Sequence, residues 1–418
     1  MYRSLVRTRQ VVAVLRQQNI PSAVLIGVMI SSFVMPHLFY GNFETSLGRE
    51  LGYSIFVTSG PVVRLNQFHW LVLVGVALLA LPRALPNKMS PDRWLVLIGI
   101  CLSTSAQLVG ALTSSIAMSR SINIHLPVLL VAGVLCTQMS VSFREAVRYV
   151  LISAAALIAI SLVSAIRNPE LVVNTSDSRA PMFLLDHRLT GVLSAPVSAG
   201  YMGAMIGIIG WVERRTLAPF VIALGVLIAV LSDTRSALFL IAFGTVMIFT
   251  KRFGVLIWAL PISTGVIAVF LWLVAPRGQL QLLPEDAGGL NGRTDYWELG
   301  FQAFATSPLF GNPEVVGGAT FPNTHSTVIQ VLATSGLFGL MALVVLNLGL
   351  CIAGCQPSPH RPIRLAVLAI FISSQFTELV LPAGISFGSV YFFWIMVLLI
   401  SRDDQPDHQV EYHTSATS

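Results

Sequence analysis

The sequence predicts an all-α polytopic membrane protein, and three observations carry that reading. Of its 418 residues 55% are hydrophobic and only 11% charged, whereas an ordinary soluble domain carries about 25% charged residues. The apolar residues come in runs of the length a helix needs, roughly 20 residues at about 1.5 Å rise, to cross about 30 Å of hydrocarbon. The basic residues stand singly or in pairs between those runs. A net charge of +6 gathered on no soluble patch speaks against a nucleic-acid partner and for a topogenic role.

Taken in order, the runs predict about twelve spans: residues 21–40, 68–81, 94–117, 122–139, 146–166, 189–211, 217–231, 236–250, 253–275, 325–354, 362–381 and 387–400. The first follows a basic stretch (Arg3, Arg7, Arg9, Arg16) and has no small-residue cleavage site behind a short core, so it reads as an uncleaved span with the N-terminus in the cytoplasm. Residues 1–18 suit either a basic amphipathic helix on the inner leaflet or an unstructured basic tail. Alternating sides from there places 16 of the 25 basic residues inside, Lys88, Arg93, Arg144, Arg361, Arg364 and Arg402 among them, which is the expected bias. Both termini are then cytoplasmic. The chain is one transmembrane domain over 1–418, with a long periplasmic loop at 276–324 and a polar cytoplasmic tail at 401–418.

Four cysteines (Cys101, Cys136, Cys351, Cys355) lie in or at the end of apolar runs without metal-ligand spacing, and packing accounts for them. No HExxH, paired Cys-x-x-Cys, phosphate-cradling glycine loop or GxSxG elbow occurs, so the expected chemistry uses no metal and no cofactor. The halves show no repeat of the kind common in secondary transporters.

Chemistry-bearing residues collect on the outer side. His325 follows Pro322 and an Asn323-Thr324 pair suited to N-capping, at the outer start of the tenth span. There the positive end of the helix dipole favours a neutral imidazole and attracts anions. Ile329, Leu332, Gly336 and Gly339 follow at helical spacing, and the two glycines form a stripe against which a neighbouring helix is expected to pack closely. Two readings fit the histidine: a base beside a phosphate-bearing ligand, or a lone interfacial side chain above a packing stripe.

Arg188 (Asp186-His-Arg188-Leu-Thr-Gly191), Arg235 (Asp233-Thr-Arg235-Ser-Ala237) and Arg293 (Gly292-Arg293-Thr-Asp-Tyr-Trp297) each lie near the outer end of a span. Guanidinium is planar and binds phosphate oxygens bidentately, which suits a diphosphate at the lipid–water boundary. Snorkelling, or pairing with Asp186, Asp233 or Asp295, is the competing account. Arg235 sits in a very short turn between strongly apolar runs, where a cation costs about 2.5–3.5 kcal/mol at full depth and less toward the interface. Glu378 is a second ionisable group at membrane depth, fit for a base, an arginine partner or a structural hydrogen-bonder.

Together, Gly292-Arg293-x-x-x-Trp297, Pro308-x-x-Gly311 and His325-Ser326 followed by Gly336-x-x-Gly339 resemble the O-antigen ligase and polymerase superfamily. Thr234-Arg235-Ser-Ala237 resembles that family's Ser-Arg-Gly-Ala element, and Arg188-Leu-x-Gly191 its arginine segment two spans earlier. The likeness covers roughly residues 188–340. Ser326 stands where asparagine is commoner, and Thr234 and Ser236 replace the usual serine and glycine, which leaves the subfamily open.

The resemblance implies a GT-C-like inner-membrane glycosyltransferase, with its active site on the periplasmic face. It would take a glycan from undecaprenyl diphosphate and join it to an acceptor hydroxyl. His325 would activate or orient the acceptor, and Arg188, Arg235 and Arg293 would hold the diphosphate, with Gly336, Gly339 and Glu378 in support. The acceptor is lipid A-core for a ligase, or a second carrier-linked glycan for an O-antigen or exopolysaccharide polymerase. A lipid-linked oligosaccharide flippase also wants outer arginines, but few ionisable residues line the inner halves of the spans. A protein O-glycosyltransferase is disfavoured by the short tail after the last span.

Overall fold

The computed structural model describes residues 89–110, 112, 129, 132–133, 135–136, 141–167, 173–174, 188–189, 196–213, 216–232, 234–250, 293–312, 326–377 and 389–403. In chain order these form α1 (Pro91–Gly110), α2 (Phe143–Arg167), β1 (Val173–Asn174), β2 (Arg188–Leu189), α3 (Pro196–Ile209) with a 3-10 turn at Gly210–Val212, α4 (Ala218–Leu231), α5 (Arg235–Thr250), α6 (Arg293–Thr306), α7 (Thr327–Cys355), α8 (Arg361–Thr377) and α9 (Ser389–Ile400). The protein is mostly helical. Three described helices are long and apolar enough to cross a membrane, Pro91–Val109, Phe143–Val163 and Thr327–Cys355, and shorter apolar helices occupy Val197–Val212, Ala218–Leu231 and Ser236–Phe249.

Eight of the expected spans overlap a helix. Those at 21–40, 68–81 and 253–275, and most of 122–139, lie outside the described residues. The span expected from 189 begins only at Pro196, because Arg188–Leu189 pair antiparallel with Val173–Asn174. Proline suits the first helical position and disfavours helix in the residue before it. The stretch expected as a loop at 276–324 contains α6. Its glycines, prolines and asparagines lie mainly on either side of 293–306, which itself holds Trp297, Leu299, Phe301 and Phe304 and no proline.

α8 and α9 make the centre. Phe392 to Ile400 are all buried, as are Trp394 and Phe371, and a helix that is apolar all round belongs inside a bundle. Outward, Leu337, Met341, Val344, Leu348 and Ile352 are exposed on α7 at steps of three and four residues, a continuous stripe facing the surroundings, which lipid would cover.

Helices meet through small residues. A Cβ added to Gly99 of α1 would lie 2.5 Å from the Leu346 nitrogen of α7, and one on Gly349 would lie 2.7 Å from the Val96 nitrogen. Where hydrophobic driving force between helices is absent, such backbone approach supplies the van der Waals contact.

One end of the bundle is tied by arginines. Arg93 donates to the Ile400 carbonyl at 2.8 Å, and Arg364, 1% exposed, donates to the Ser401 carbonyl at 2.9 Å and pairs with Asp403 at 3.1 Å. Both cap the C-terminus of α9, where orphan carbonyls and the negative dipole end favour cations. The Arg364 guanidinium also lies 5.1 Å over the Phe143 ring, which stacks on His360 at 4.7 Å. Phe143 N–H donates to the Arg402 carbonyl at 2.8 Å, and Arg402 N–H to that of Val141 at 3.0 Å. The starts of α1, α2 and α8 and the end of α9 thus share this end.

Candidate active site

The far end of α8 meets the head of α7. Ser326 is the N-cap of α7, in extended conformation (φ −147°, ψ 120°), and its carbonyl accepts the Gln330 N–H at 2.9 Å. The cap is therefore Ser326 rather than the expected Asn323-Thr324 pair. His325 immediately precedes it, outside the described residues.

The Ser326 hydroxyl does not cap its own helix. It donates across to the Gln375 carbonyl of α8 at 3.4 Å. Gln375 is near the end of α8, where carbonyls have no intrahelical donor. Its side chain forms a reciprocal pair with Asn347 of α7, at 3.0 Å and 2.8 Å. Ser326, Gln330 and Thr334 recur every four residues and are buried. Thr334 donates to the Gln330 carbonyl at 2.8 Å and receives Gln107 Nε2 from α1 at 3.5 Å. Asn347 and Gln375 are not among the residues expected from the sequence, although side-chain amides inside apolar runs are a signal, since buried polar groups in a bilayer need partners.

α7 is broken at Gly336 (φ 60°, ψ −154°), a backbone region essentially restricted to glycine. The segment Ser307–Asn312 after α6 is spliced into the break. Leu337 N–H donates to Pro308 at 2.8 Å, Phe338 N–H to Leu309 at 3.1 Å, and Asn312 N–H to Ala333 at 2.7 Å. The Leu337 and Phe338 N–H groups and the Ala333 carbonyl would otherwise have bonded within α7. Gly311 (φ 73°) is the reciprocal special position: a side chain there would meet the Ser335 nitrogen. The glycine stripe expected to receive a neighbouring helix is corrected accordingly. At Gly336 a Cβ would lie 2.5 Å from the Leu309 carbonyl carbon, in the turn, while at Gly339 it would meet Ser335 of α7 itself. The break interrupts the 100° progression, so the face counted from His325 does not continue past it.

The arginines occupy element starts. Arg235 begins α5 and Arg293 begins α6, while Arg188 is in β2, opposite Asn174. Their side chains lie outside the described residues, as does Glu378. Thr234, 3% exposed, accepts the Ala237 and Leu238 N–H groups at 3.0 and 3.2 Å and so starts α5. Ser232 donates to Thr234 Oγ1 at 3.1 Å and to the Ala229 carbonyl, in one of its alternative hydrogen positions, at 2.9 Å. Gly200 of α3 lets this turn in, because a Cβ there would be 2.5 Å from Thr234 Oγ1. β2 packs on α3 and α4, and α6 packs on α7. The Arg188 and Arg235 backbones therefore share one set of elements, and those of Arg293 and Ser326 another. α8 touches both sets, through α3 and α5 on one side and α7 on the other.

Residues 218–344 match the family model O-antigen ligase. This stretch is similar to the O-antigen ligase domain. It runs from the start of α4 to beyond the break in α7, taking in Arg235, Arg293, His325, Gly336 and Gly339. Arg188, which the sequence reading grouped with them, precedes the matched stretch, and Asn347, Gln375 and Glu378 follow it. No curated protein matches the chain. The match over residues 218–344, together with the apolar helices, supports a membrane protein of the ligase or polymerase type of glycosyltransferase, a group that acts in general on lipid-linked glycans.

Proposed function

We propose that the protein moves a saccharide from undecaprenyl diphosphate to an acceptor hydroxyl on the periplasmic face of the inner membrane, without a metal, and that lipid A-core is the acceptor. His325 takes the acceptor proton, and Arg188, Arg235 and Arg293 hold the diphosphate and stabilise the charge that grows on it as it leaves. General-base help is typically worth about 10² to 10⁴ in rate, and preorganised cations stabilise such a leaving group further.

The observation that carries this reading is the splice of Ser307–Asn312 into α7. It makes one unit of the helix that begins at Arg293 and the helix that begins directly after His325, two motif positions 32 residues apart in sequence, by the numbering 293 and 325. Helix N-termini at Arg235, Arg293 and Thr327 add backbone N–H donors and positive dipole ends suited to an anionic substrate.

The test is transfer by purified protein given an undecaprenyl-diphosphate oligosaccharide with lipid A-core, or with carrier-linked glycan alone. Sugar gained by lipid A-core, and lost in His325→Ala, supports the ligase reading. Extension of the carrier-linked glycan alone makes the protein a polymerase. A wild type inert with both acceptors moves the flippase reading to the front.

A further inference from the structure

Gln375 touches both halves of the broken helix α7. Its carbonyl receives the hydroxyl of Ser326, ahead of the break at Gly336, and its side chain is doubly bonded to Asn347, behind the break. The two halves have no continuous hydrogen-bond ladder between them at the break, where the turn Ser307–Asn312 takes the bonds instead. The relative direction of the halves is therefore set by outside contacts, and Gln375 bonds both, ahead of the break through its backbone carbonyl and behind it through its side-chain amide.

Three features argue that this grip is specific rather than incidental packing. Gln375 is 3% exposed and Ser326 2% exposed, so neither group has water as an alternative partner. An amide pair uses a donor and an acceptor from each residue, so it tolerates neither a change of length on one side nor an apolar replacement. And Ser326, a residue type that normally caps its own helix, leaves that role to bond α8.

We infer that Gln375, held by Asn347, is a positioning residue for His325: it fixes the residue next to the histidine relative to the rear of α7. The inference rests on His325 being the base proposed above. It predicts a loss in turnover rather than in donor binding, because a misplaced catalytic group costs rate even when the binding groups remain, up to about 10²-fold for about 1 Å.

The experiment compares Asn347→Gln, Gln375→Asn and the double variant, which exchanges the two amides and restores their combined length. Each is assayed for kcat and for KM of undecaprenyl-diphosphate oligosaccharide, with thermal melting to check folding and His325→Ala alongside. The expected result is a fall in kcat of about tenfold or more in each single variant with KM within about twofold, and recovery to within about threefold of wild type in the double variant. Single variants with wild-type kcat, or a double variant no better than the singles, overturn the positioning role. A fully active His325→Ala overturns the base assignment instead, so the two failures are distinct.

Discussion

The backbone N–H of Asn312 donates to the carbonyl of Ala333 at 2.7 Å, the carbonyl that an unbroken helix would have given to Leu337. Leu337 in turn donates to Pro308. The exchange lets α7 break inside an apolar bundle without leaving these four backbone groups bare, which would cost several kcal/mol in lipid. It also makes two glycines indispensable, one on each side of the contact.

Gly336→Ala and Gly311→Ala should each destabilise the protein. A left-handed backbone costs an alanine about 1–3 kcal/mol, and the added Cβ meets backbone atoms of the facing segment in both cases. Thermal unfolding in detergent measures this. Gly339→Ala, whose new Cβ meets mainly side chains, should cost less, and equal melting of all three variants would contradict the splice.

Gly200 and Thr234 form a second test. Gly200→Ala places a Cβ against Thr234, an overpacking worth about 1–3 kcal/mol, and pushes on the turn that starts α5 at Arg235. Transfer activity should fall with stability, and Thr234→Gly in the same chain should restore part of both. Absence of any rescue would mean the two sites act separately.

Arg364→Met should lower stability by about 1.5–3 kcal/mol, the worth of a charged hydrogen bond, by uncapping α9 and releasing Asp403. Arg364 and Gln375 are on opposite ends of α8, about 16 Å apart at 1.5 Å per residue. Activity per folded molecule should therefore hold. A selective loss of activity at unchanged melting temperature would place Arg364 in function instead.

For the proposed chemistry, His325→Ala should reduce kcat about 10² to 10⁴-fold. A base acts when neutral, so wild-type activity should be present at high pH and fall as the pH drops through the range in which its imidazole protonates. Arg293→Lys keeps the charge but loses the bidentate fork, so it should weaken donor binding while leaving that pH dependence in place. A pH profile of the wild type that is flat from 5 to 8, as spanned by the range in which histidine titrates, would remove His325 as the titrating base.

Much of the architecture was legible without coordinates. The described helices α1 to α5 and α7 to α9 fall on apolar runs read directly from the chain, because partitioning into hydrocarbon is a property of each segment by itself. The helix α6 was missed because flanking glycines, prolines and asparagines dominated the local composition. The motif positions Arg235 and Arg293 were picked out by residue type, and the structure places both at helix starts.

The glycines were recognised, and their use was misjudged. Spacing implied a straight helix with a small-residue face, whereas Gly336 leaves the helical region altogether. The close helix contact of α7 is made further on, at Gly349 against α1.

Hydropathy and residue type by themselves determined that this is a membrane protein, where most of its described helices lie, and which residues are candidates for chemistry. Only the tertiary structure decided that the turn at Pro308 completes the break at Gly336, that Gln375 grips α7 on both sides of it, and that Arg93 and Arg364 cap α9. Those are pairings between groups distant in the chain. A hydrogen-bond donor specifies that it must have a partner, and the fold alone specifies which one.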